Sequence, residues 1–336
     1  MHETRGEVVV ITGASAGVGR ATARKFAKHG ARIGLIARGR DGLEGAKRDV
    51  EALGGEAVII EADVADPEAI DRAATTVEER FGPIDIWINN AMTSVFAPVK
   101  ETKAEEYKRV TEVNFLGFVN GTLAALHRML PRDRGTIVQV GSALAHRSIP
   151  LQSAYCATKH AIIGFTDSLR CELLHDQSNV KVSVVDMPAL NTPQFDWVRS
   201  RLPKKAQPVP PIYQPEVAAD AIYWAAHHHP REMAVGWSTL LVMLGQKLVP
   251  GLADHYLART GYQSQQTDQP SDPDRPDNLY SPVPGDHGAH GDFDDKAQSG
   301  SSELRLSENR LWVALGGLAL AGLVLGTVTG TRRKAA

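Results

Sequence analysis

A serine, a tyrosine and a lysine in this chain have a spacing that suits proton transfer. Tyr155 and Lys159 lie four residues apart, so on a helix their side chains share one face and can reach one site. An ammonium group beside a phenol favours the phenolate and lowers the tyrosine pKa from about 10 toward neutral pH. Ser142 follows the apolar run Thr136–Val140 and Gly141, which places a hydroxyl at the carboxyl end of a predicted strand, where open α/β sheets bind ligands. The three residues predict a site that exchanges a proton with a substrate oxygen.

A glycine-rich turn near the start of the chain predicts what binds beside that site. An apolar run, Val8–Ile11, indicates a buried strand, and the sequence TGASAGVG follows it directly, before a helical pattern over Arg20–His29. Glycine permits the tight turn and lets a pyrophosphate approach the N–H groups of the helix that follows. The glycines concerned are Gly13, Gly17 and Gly19. Their spacing differs from the Gly-x-Gly-x-x-Gly fingerprint, so we interpret the turn as a variant dinucleotide cradle.

Each pattern has an ordinary alternative when it stands by itself. A glycine-rich loop need not hold a ligand, and a Tyr-x-x-x-Lys pair is often a solvated pair on a helix surface. The hydroxyl of Ser142 at a strand end, together with both patterns, favours the catalytic interpretation.

With these motifs, residues 6–240 resemble the short-chain dehydrogenase/reductase family, in its compact branch with a three-residue gap in the glycine turn. The resemblance implies that Tyr155 is the general acid/base, that Lys159 lowers the tyrosine pKa and binds ribose, and that Ser142 polarises the carbonyl. Asn114, in the sequence VNFLG, matches an asparagine that holds a relay water. The implied cofactor-binding set is Gly13, Ser15, Gly17, Val18, Gly19, Arg38, Asp63, Val64, Asn90, Ala91, Tyr155, Lys159, Pro188 and Thr192.

Two positions depart from the family pattern. Met92 follows Asn89, Asn90 and Ala91 where the family has glycine, and Ala189 replaces the glycine expected after Pro188. Both bear on the nicotinamide and substrate side of the site by analogy, so they affect the substrate assignment more than the chemistry.

Charge at the end of the second predicted strand bears on the choice of cofactor. An acidic residue there would bind the ribose 2′-hydroxyl and repel a 2′-phosphate. The strand Arg32–Ala37 is followed instead by Arg38, with Arg40 close by. A guanidinium can form charge-assisted bonds to a phosphate, so we expect the cofactor to be NADP(H). The alternative is NAD, in which case Arg38 would be an ordinary solvated arginine.

Strand-like and helical runs alternate along the chain, which indicates a parallel sheet covered on both faces. We predict a Rossmann-type, doubly wound α/β domain of about seven parallel strands over residues 1–260. Besides the strands named above, the predicted strands are Ala57–Glu61, Ile84–Asn89, Val180–Val185 and Glu232–Val235. The predicted helices are Asp66–Phe81, Asn114–Leu130, Gln152–His175 and Pro215–His228. The long connection Asn191–Pro211 is expected to be a mobile lid, or else an ordinary surface connection.

Composition excludes several functions. A net charge of −2 gives no electrostatic footprint for nucleic acid. Cys156 and Cys171 fall on one predicted helix, about 22 Å apart, too far for a disulfide, and the charged N-terminus leaves no room for a signal peptide. His227–His229 fan apart on a helix, and His287 with His290 lies in an acidic tract, so no metal site is expected.

The character of the chain changes near its end. Residues 261–309 are rich in aspartate and proline and predict a disordered linker. Residues 310–331 include an uncharged stretch, Leu311–Thr331, long enough to cross a bilayer as a helix, and a basic tail follows at 332–336. A buried core helix is the alternative. We expect a single-pass C-terminal anchor. The basic tail favours a C-terminus in the cytoplasm, but the supply of cofactor favours a catalytic domain that faces the cytoplasm, and we expect the second orientation.

Together these patterns predict a membrane-tethered, NADP(H)-dependent oxidoreductase that interconverts a secondary alcohol and a ketone on a lipophilic substrate. Family resemblance suggests a homodimer or homotetramer. Two alternatives stay open: a nucleotide-sensing membrane scaffold without turnover, and a 3-oxoacyl-thioester reductase.

Overall fold

Seven parallel strands form the central sheet within residues 6–272 and 274–301, the part of the chain that the structure, a computed structural model, describes. The strands are β1 Val8–Thr12, β2 Arg32–Ala37, β3 Glu56–Glu61, β4 Ile86–Asn89, β5 Thr136–Val140, β6 Lys181–Asp186 and β7 Glu232–Ala234. Their order in the sheet is β7-β6-β5-β4-β1-β2-β3. The strand order reverses between β1 and β4, which is where such sheets open a ligand-binding crevice. The predicted doubly wound sheet is confirmed.

Helices connect successive strands, as parallel pairing requires. They are α1 Gly17–Ala27, α2 Arg40–Ala52, α3 Pro67–Phe81, α4 Ala104–Thr111, α5 Gly117–Met129, α6 Ser153–His175, α7 Gln194–Trp197, α8 Pro215–His228, α9 Trp237–Leu248 and α10 Pro250–Thr260. Asp66 caps α3, because its carboxylate accepts from the Ala69 N–H at 3.0 Å.

The core lies between the sheet and its helices. Val8 and Val10, alternate residues of β1, share one face of that strand and pack in a cluster with Val77 of α3, Met129 of α5 and Leu173 of α6. The other face carries α1 and α8, which pack against each other. Burial on both faces explains why the first four residues of β1 are all apolar rather than alternating.

Element boundaries follow the apolar runs closely. The predicted strands over residues 32–37 and 136–140 and the helix over 215–228 have the predicted limits. The predicted helix over 114–130 begins earlier and changes pitch, because α4 is continued by a π-helical turn, Glu112–Leu116, before α5. Asn114 lies in that wider turn, a feature that frequently marks functional sites.

Short strands tie the surface connections together. Val95–Phe96 pairs with Arg199–Ser200, and Lys204–Ala206 pairs with Gln266–Pro270. Ile212–Tyr213 lies between Ala189–Leu190 and Ala297–Gln298. Two of these pairings join residues beyond 260 to the predicted lid and its neighbours.

The expectation of a disordered linker over residues 261–309 is wrong for the part that is described. Residues up to Gly300 belong to one compact unit, and Leu279, Ala289 and Phe293 are buried in it. Composition misled because the aspartates and the backbone of this segment are paired with distant residues, such as Asp286 with Arg20 and the Asn278 carbonyl with Arg38. A count of charges and prolines does not detect such pairs.

The predicted membrane helix at 310–331 and the basic tail at 332–336 lie outside the described residues, as do residues 302–309. In the described ranges, no helix has both the length and the apolar character that a bilayer crossing requires.

Candidate active site

A cavity of about 530 Å³ opens at the carboxyl ends of the strands. It brings together predicted residues from across the chain: Gly13, Ser15, Gly17, Val18, Arg38, Asp63, Val64, Asn90, Ala91, Ser142, Tyr155, Lys159, Pro188 and Thr192 all line it. Gly19 and Asn114 do not line the cavity and act from behind its wall. The volume and the dispersed origin of these residues identify one site for a large ligand.

The glycine turn between β1 and α1 forms one end of the cavity. Gly13 has a φ of 67°, and a Cβ there would lie 2.8 Å from the Ala91 Cα. A Cβ at Gly19 would lie 2.2 Å from the Gly13 carbonyl oxygen. The Asn90 side chain holds the turn, since its amide donates to the Thr12 carbonyl at 2.9 Å. These positions therefore require glycine, because a side chain at either would meet the protein itself.

Ser142 lies immediately beyond β5, as predicted. Its backbone N–H donates to Asp186 Oδ1 at 3.0 Å, and its hydroxyl accepts from the Leu144 N–H at 3.1 Å. A hydrogen bond also connects the Ser142 and Tyr155 side chains. Backbone and side chain are both held, so the hydroxyl faces the cavity in a fixed position.

Tyr155 and Lys159 lie on α6 and line the same cavity. The Lys159 Nζ lies 5.6 Å from the centre of the Tyr155 ring and 4.8 Å from that of Phe118, and it donates to the Val140 carbonyl at 2.7 Å. The predicted shared face is therefore present. The two groups converge where β5 ends.

The expected lowering of the tyrosine pKa is not found. Burial raises the pKa of Tyr155 above its usual value, and the hydrogen bond with Ser142 only partly opposes this. Burial also lowers the pKa of Lys159 to about 7, with the Asp186 carboxylate acting in the opposite direction. Burial outweighs the lysine's influence because the Lys159 ammonium is directed to the Val140 carbonyl rather than to the phenol oxygen.

Asn114 is fully buried beneath the site. Its amide donates to the Thr93 carbonyl at 2.9 Å, and its Oδ1 accepts from the Thr93 N–H at 2.8 Å. The amide also donates to Thr158 Oγ1 at 3.3 Å, on the helix that carries Tyr155. Asn114 thus joins the π-helical turn to α6 and to the loop after β4.

Three ionisable residues behind Ser142 were missed from the sequence. Asp186, at the end of β6, is fully buried, and His146 Nε2 lies 2.9 Å from its Oδ2 and 3.4 Å from Glu232 Oε1. The hydrogen bond to Asp186 raises the pKa of His146, and burial beside Asp186 raises that of Glu232. Their ligand atoms lie within 4.8 Å of one another. We call this set the Asp186 network; it supports the Ser142 backbone.

Asp63 and Arg38, both predicted to bind the cofactor, also line the cavity. The Asp63 carboxylate pairs with Arg109 and accepts from the Ala65 N–H at 3.0 Å. The Arg38 guanidinium donates to the carbonyls of Asn278 and Tyr280, at 2.5 and 3.0 Å. Arg38 lines the cavity, but its donors are directed to backbone carbonyls of the chain itself, which no pattern in the sequence predicts.

Residues 274–294, which we call the C-terminal strap, contribute to the cavity wall through Asn278, Pro282, Val283, Gly285 and His287. The Gly288 carbonyl accepts from the Gly17 N–H at 3.1 Å, at the first residue of α1. Asp286 pairs with the buried Arg20 of α1 and lies 3.3 Å from Arg48 of α2. The strap therefore contacts both groups that were predicted to bind cofactor phosphates: the N-terminus of α1 and Arg38.

The predicted lid, Asn191–Pro211, forms another wall. Phe195 is buried and packs edge-on against Phe96 and Phe293, with ring centres 6.2 and 6.0 Å apart. Arg275 of the strap donates to the Val198 carbonyl and to that of Phe195. Met92 and Ala189, the two departures from the family pattern, line the cavity and leave it open.

Fold and site together define a nucleotide-dependent oxidoreductase. A family model described as short chain dehydrogenase matches residues 7–202. The chain belongs to the short-chain dehydrogenase/reductase family and is an oxidoreductase that acts on CH–OH groups.

Individual relatives agree with this assignment. The chain is 35% identical to an uncharacterized oxidoreductase, YxnA, of Bacillus subtilis (strain 168), over 85% of this chain and 81% of the relative. It is 32% identical to a fatty acyl-CoA reductase of Acinetobacter baylyi, over 69% of this chain and 77% of the relative. A solved structure of NAD⁺-bound xylitol dehydrogenase is similar with a TM-score of 0.53 and 31% identity, covering 56% of this chain and 72% of that one.

Proposed function

We propose that this protein is an NADP(H)-dependent oxidoreductase that interconverts a secondary alcohol and a ketone on a lipophilic substrate. The observation that carries the proposal is one cavity lined both by Ser142, Tyr155 and Lys159 and by the glycine turn. In the proposed reaction the Tyr155 hydroxyl gives its proton to the carbonyl oxygen, or takes it back in the reverse direction. The Ser142 hydroxyl orients that oxygen.

A nicotinamide cofactor, when bound, supplies or accepts the hydride. The residues present fit such a group, since the glycine turn and the start of α1 line the cavity and a helix N-terminus favours a pyrophosphate. The Gly17 N–H would first have to leave the Gly288 carbonyl. Lys159 holds positive charge close to the tyrosine ring, where a phenolate would form. Asn114 fixes the π-helical turn against α6, and we propose that it serves the proton relay from there.

The preference for NADP(H) rests on Arg38 and on the absence of an acidic residue at the end of β2. A 2′-phosphate would have to attract the Arg38 guanidinium away from the strap carbonyls. The test is kcat/KM for both cofactors in the wild type, in Arg38→Ala and in Arg40→Ala. Arg40 is the matched control, because it is exposed and pairs with Glu44 and Glu61. Arg38→Ala alone should lose about tenfold with NADPH; a tenfold preference for NADH in the wild type would refute the proposal.

A lipophilic substrate is supported by the apolar lining beyond the catalytic residues. Leu144, Ile149, Phe195, Val209 and Val242 line that part of the cavity. Burial of apolar area in such a pocket stabilises a ligand by about 25 cal/mol per Å². Ketones of increasing chain length should therefore show a falling KM, measured by NADPH oxidation. A KM that does not depend on chain length would contradict the proposal.

We also propose a membrane tether through residues 310–331, with the catalytic domain in the cytoplasm. The support is the uncharged stretch Leu311–Thr331 with its basic flanks. Protease treatment of spheroplasts tests the orientation, and digestion of the domain from outside would overturn it.

We also propose that the protein is a homodimer or homotetramer. The support is that α5 and the residues beside it leave Leu116, Leu123 and Leu130 exposed. Light scattering of the protein in detergent would test the oligomeric state.

A second candidate is reduction of a 3-oxoacyl thioester, and the similarity to a fatty acyl-CoA reductase favours it. The same proton donor would serve a 3-oxo group. Assays with a 3-oxoacyl-CoA and with a simple long-chain ketone separate the two, because the thioester reductase would oxidise NADPH only with the former. Release of free thiol would indicate reduction at the thioester carbon instead.

A further inference from the structure

Helices α9 and α10 carry several large apolar side chains that are exposed in the described structure. Leu241, Leu244 and Leu248 recur at helical spacing on one face of α9 and are 67%, 55% and 76% exposed. Leu252 on α10 is 68% exposed. Contiguous apolar patches of this kind mark interaction sites. We call the patch of exposed residues on these two helices the α9–α10 face.

Aromatic residues lie at both ends of this face. Trp237 begins α9 and is 50% exposed, and Tyr256 in α10 is 66% exposed. Rings with a polar tip are enriched where proteins meet the headgroup region of a bilayer. Lys247 is the one charged residue of α9. A helix with an apolar face, aromatic residues and a basic residue is typical of helices that lie in a membrane surface.

The α9–α10 face is continuous with the wall of the active-site cavity. Val242 lines the cavity from α9, and Tyr256 and Leu257 line it from α10. Arg147, five residues after Ser142, donates to Gln246 at 2.8 Å and pairs with Asp254, so both helices are fixed to the catalytic loop. A surface that covers this face therefore adjoins the substrate cavity.

The chain leaves the described domain close to the start of α9. Ala297–Gln298 pairs with Ile212–Tyr213, and a Cβ at Gly236, the residue before α9, would lie 3.1 Å from the Tyr213 ring. Only ten residues, 301–310, separate Gly300 from the uncharged stretch at 311–331. Ten residues span at most about 35 Å. If that stretch enters a bilayer, the described domain is tethered to the bilayer by a connection of that length.

We infer that the α9–α10 face docks on the lipid bilayer and directs the substrate cavity toward the hydrocarbon. The occupant is a lipid surface, because the apolar residues, the aromatic ends, the shared wall with the cavity and the short connection to residues 311–331 all fit it. This inference rests on the proposed function, since it assumes the tether and a lipophilic substrate. A substrate dissolved in the bilayer would then enter without crossing water.

Spin labelling of the full chain tests the docking directly. Leu244→Cys and, as a matched control, Leu174→Cys are made in a Cys171→Ser background; Leu174 is 73% exposed on α6, and the remaining Cys156 is buried. The labelled proteins are reconstituted in vesicles of phosphatidylcholine and phosphatidylglycerol at 3:1. The label at 244 should collide more with oxygen than with a water-soluble nickel chelate, and the label at 174 should show the reverse.

Three results would overturn the inference. In the first, the label at 244 is as accessible to the nickel chelate as the label at 174. In the second, it couples magnetically to a second label in the same way with and without vesicles, which indicates a second copy of the chain on the face. In the third, it is immobilised but inaccessible to oxygen, which indicates coverage by residues 311–331. Wild-type protein that does not bind the vesicles would also overturn it.

A kinetic test separates this inference from the proposed function. Leu241→Glu with Leu244→Glu should raise KM at least tenfold for a long-chain ketone dissolved in the vesicles and leave kcat with a short, water-soluble ketone unchanged. Leu174→Glu should change neither value. Equal KM values in all three proteins would refute the docking, whereas lipid contact at 244 without turnover of any ketone would refute the proposed function alone.

Discussion

Because Lys159 is buried, the free energy of unfolding should depend on pH in a way that does not involve the substrate. The lysine's ammonium group is 2% exposed, and burial lowers its pKa from 10.5 to about 7. An unfolded chain keeps the ordinary value, so between pH 7 and 10.5 the unfolded state binds more protons than the folded state. Stability contributed by this group therefore rises with pH in that window. Below pH 7 both states are protonated, and the full cost of burying the charge remains.

The size of this effect follows from the two pKa values. A shift of one unit corresponds to about 1.4 kcal/mol, so the buried ammonium costs about 5 kcal/mol below pH 7. Between pH 6.5 and 8.5 the wild type should regain about 2 kcal/mol of that cost. Lys159→Met keeps a side chain of similar length without the charge. The free energy of unfolding of this variant, minus that of the wild type, should fall by the same amount over that range.

Urea unfolding of the cofactor-free proteins at several pH values measures this difference. Titration of His146 occurs in both proteins and largely cancels in the comparison. Lys28→Met, at an exposed position of the C-terminus of α1, is the control and should differ from the wild type by a constant amount. A difference between Lys159→Met and the wild type that does not change with pH would refute the reasoning, because it would mean that the buried lysine keeps its ordinary pKa.

Three further predictions concern the site itself. Tyr155→Phe should lower kcat by about 10²- to 10⁴-fold, as expected for loss of a general acid, while the dissociation constant of NADPH, measured by fluorescence, stays within twofold; wild-type turnover would exclude the proposed role. Gly19→Ala should lower the free energy of unfolding by about 1–3 kcal/mol, because the new Cβ would meet a backbone oxygen at 2.2 Å; unchanged urea unfolding would show that the turn can relax. Asp286→Ala should weaken the hold of the C-terminal strap on α1, accelerate amide hydrogen exchange in residues 278–288 and tighten NADPH binding at least threefold. Asp295→Ala, an exposed control, should do neither. Equal hydrogen exchange in both variants would contradict the idea that the strap competes with NADPH for the Gly17 N–H and Arg38.

The fold was predictable because its strands are apolar runs and its helices have regular periodicity. Tyr155 and Lys159 could be placed in one site because their separation is a property of the helix itself. Ser142 could be placed because it ends a strand. These inferences use only local sequence, and the structure places all three side chains in the predicted cavity.

Features that depend on distant partners were not predictable. Asp186 lies 44 positions from Ser142 and ends a run of apolar residues, so nothing in its neighbourhood indicates that it accepts from the Ser142 N–H. The strap was predicted to be disordered because it is rich in aspartate and proline. Arg38 and Arg109 hold its backbone carbonyls, and this kind of pairing has no sequence period. The direction of the Tyr155 pKa shift depends on burial, which the motif does not specify.

The position of the strap has a consequence for coenzyme exchange. A dinucleotide that uses the Gly17 N–H and the Arg38 guanidinium must first separate them from the strap carbonyls that they now contact. The rate at which fresh coenzyme replaces spent coenzyme would then depend on local opening of a segment some 240 residues beyond Arg38 in the sequence. Cleavage or crowding of that segment would alter the coenzyme residence time without any change to the residues that carry out the reaction.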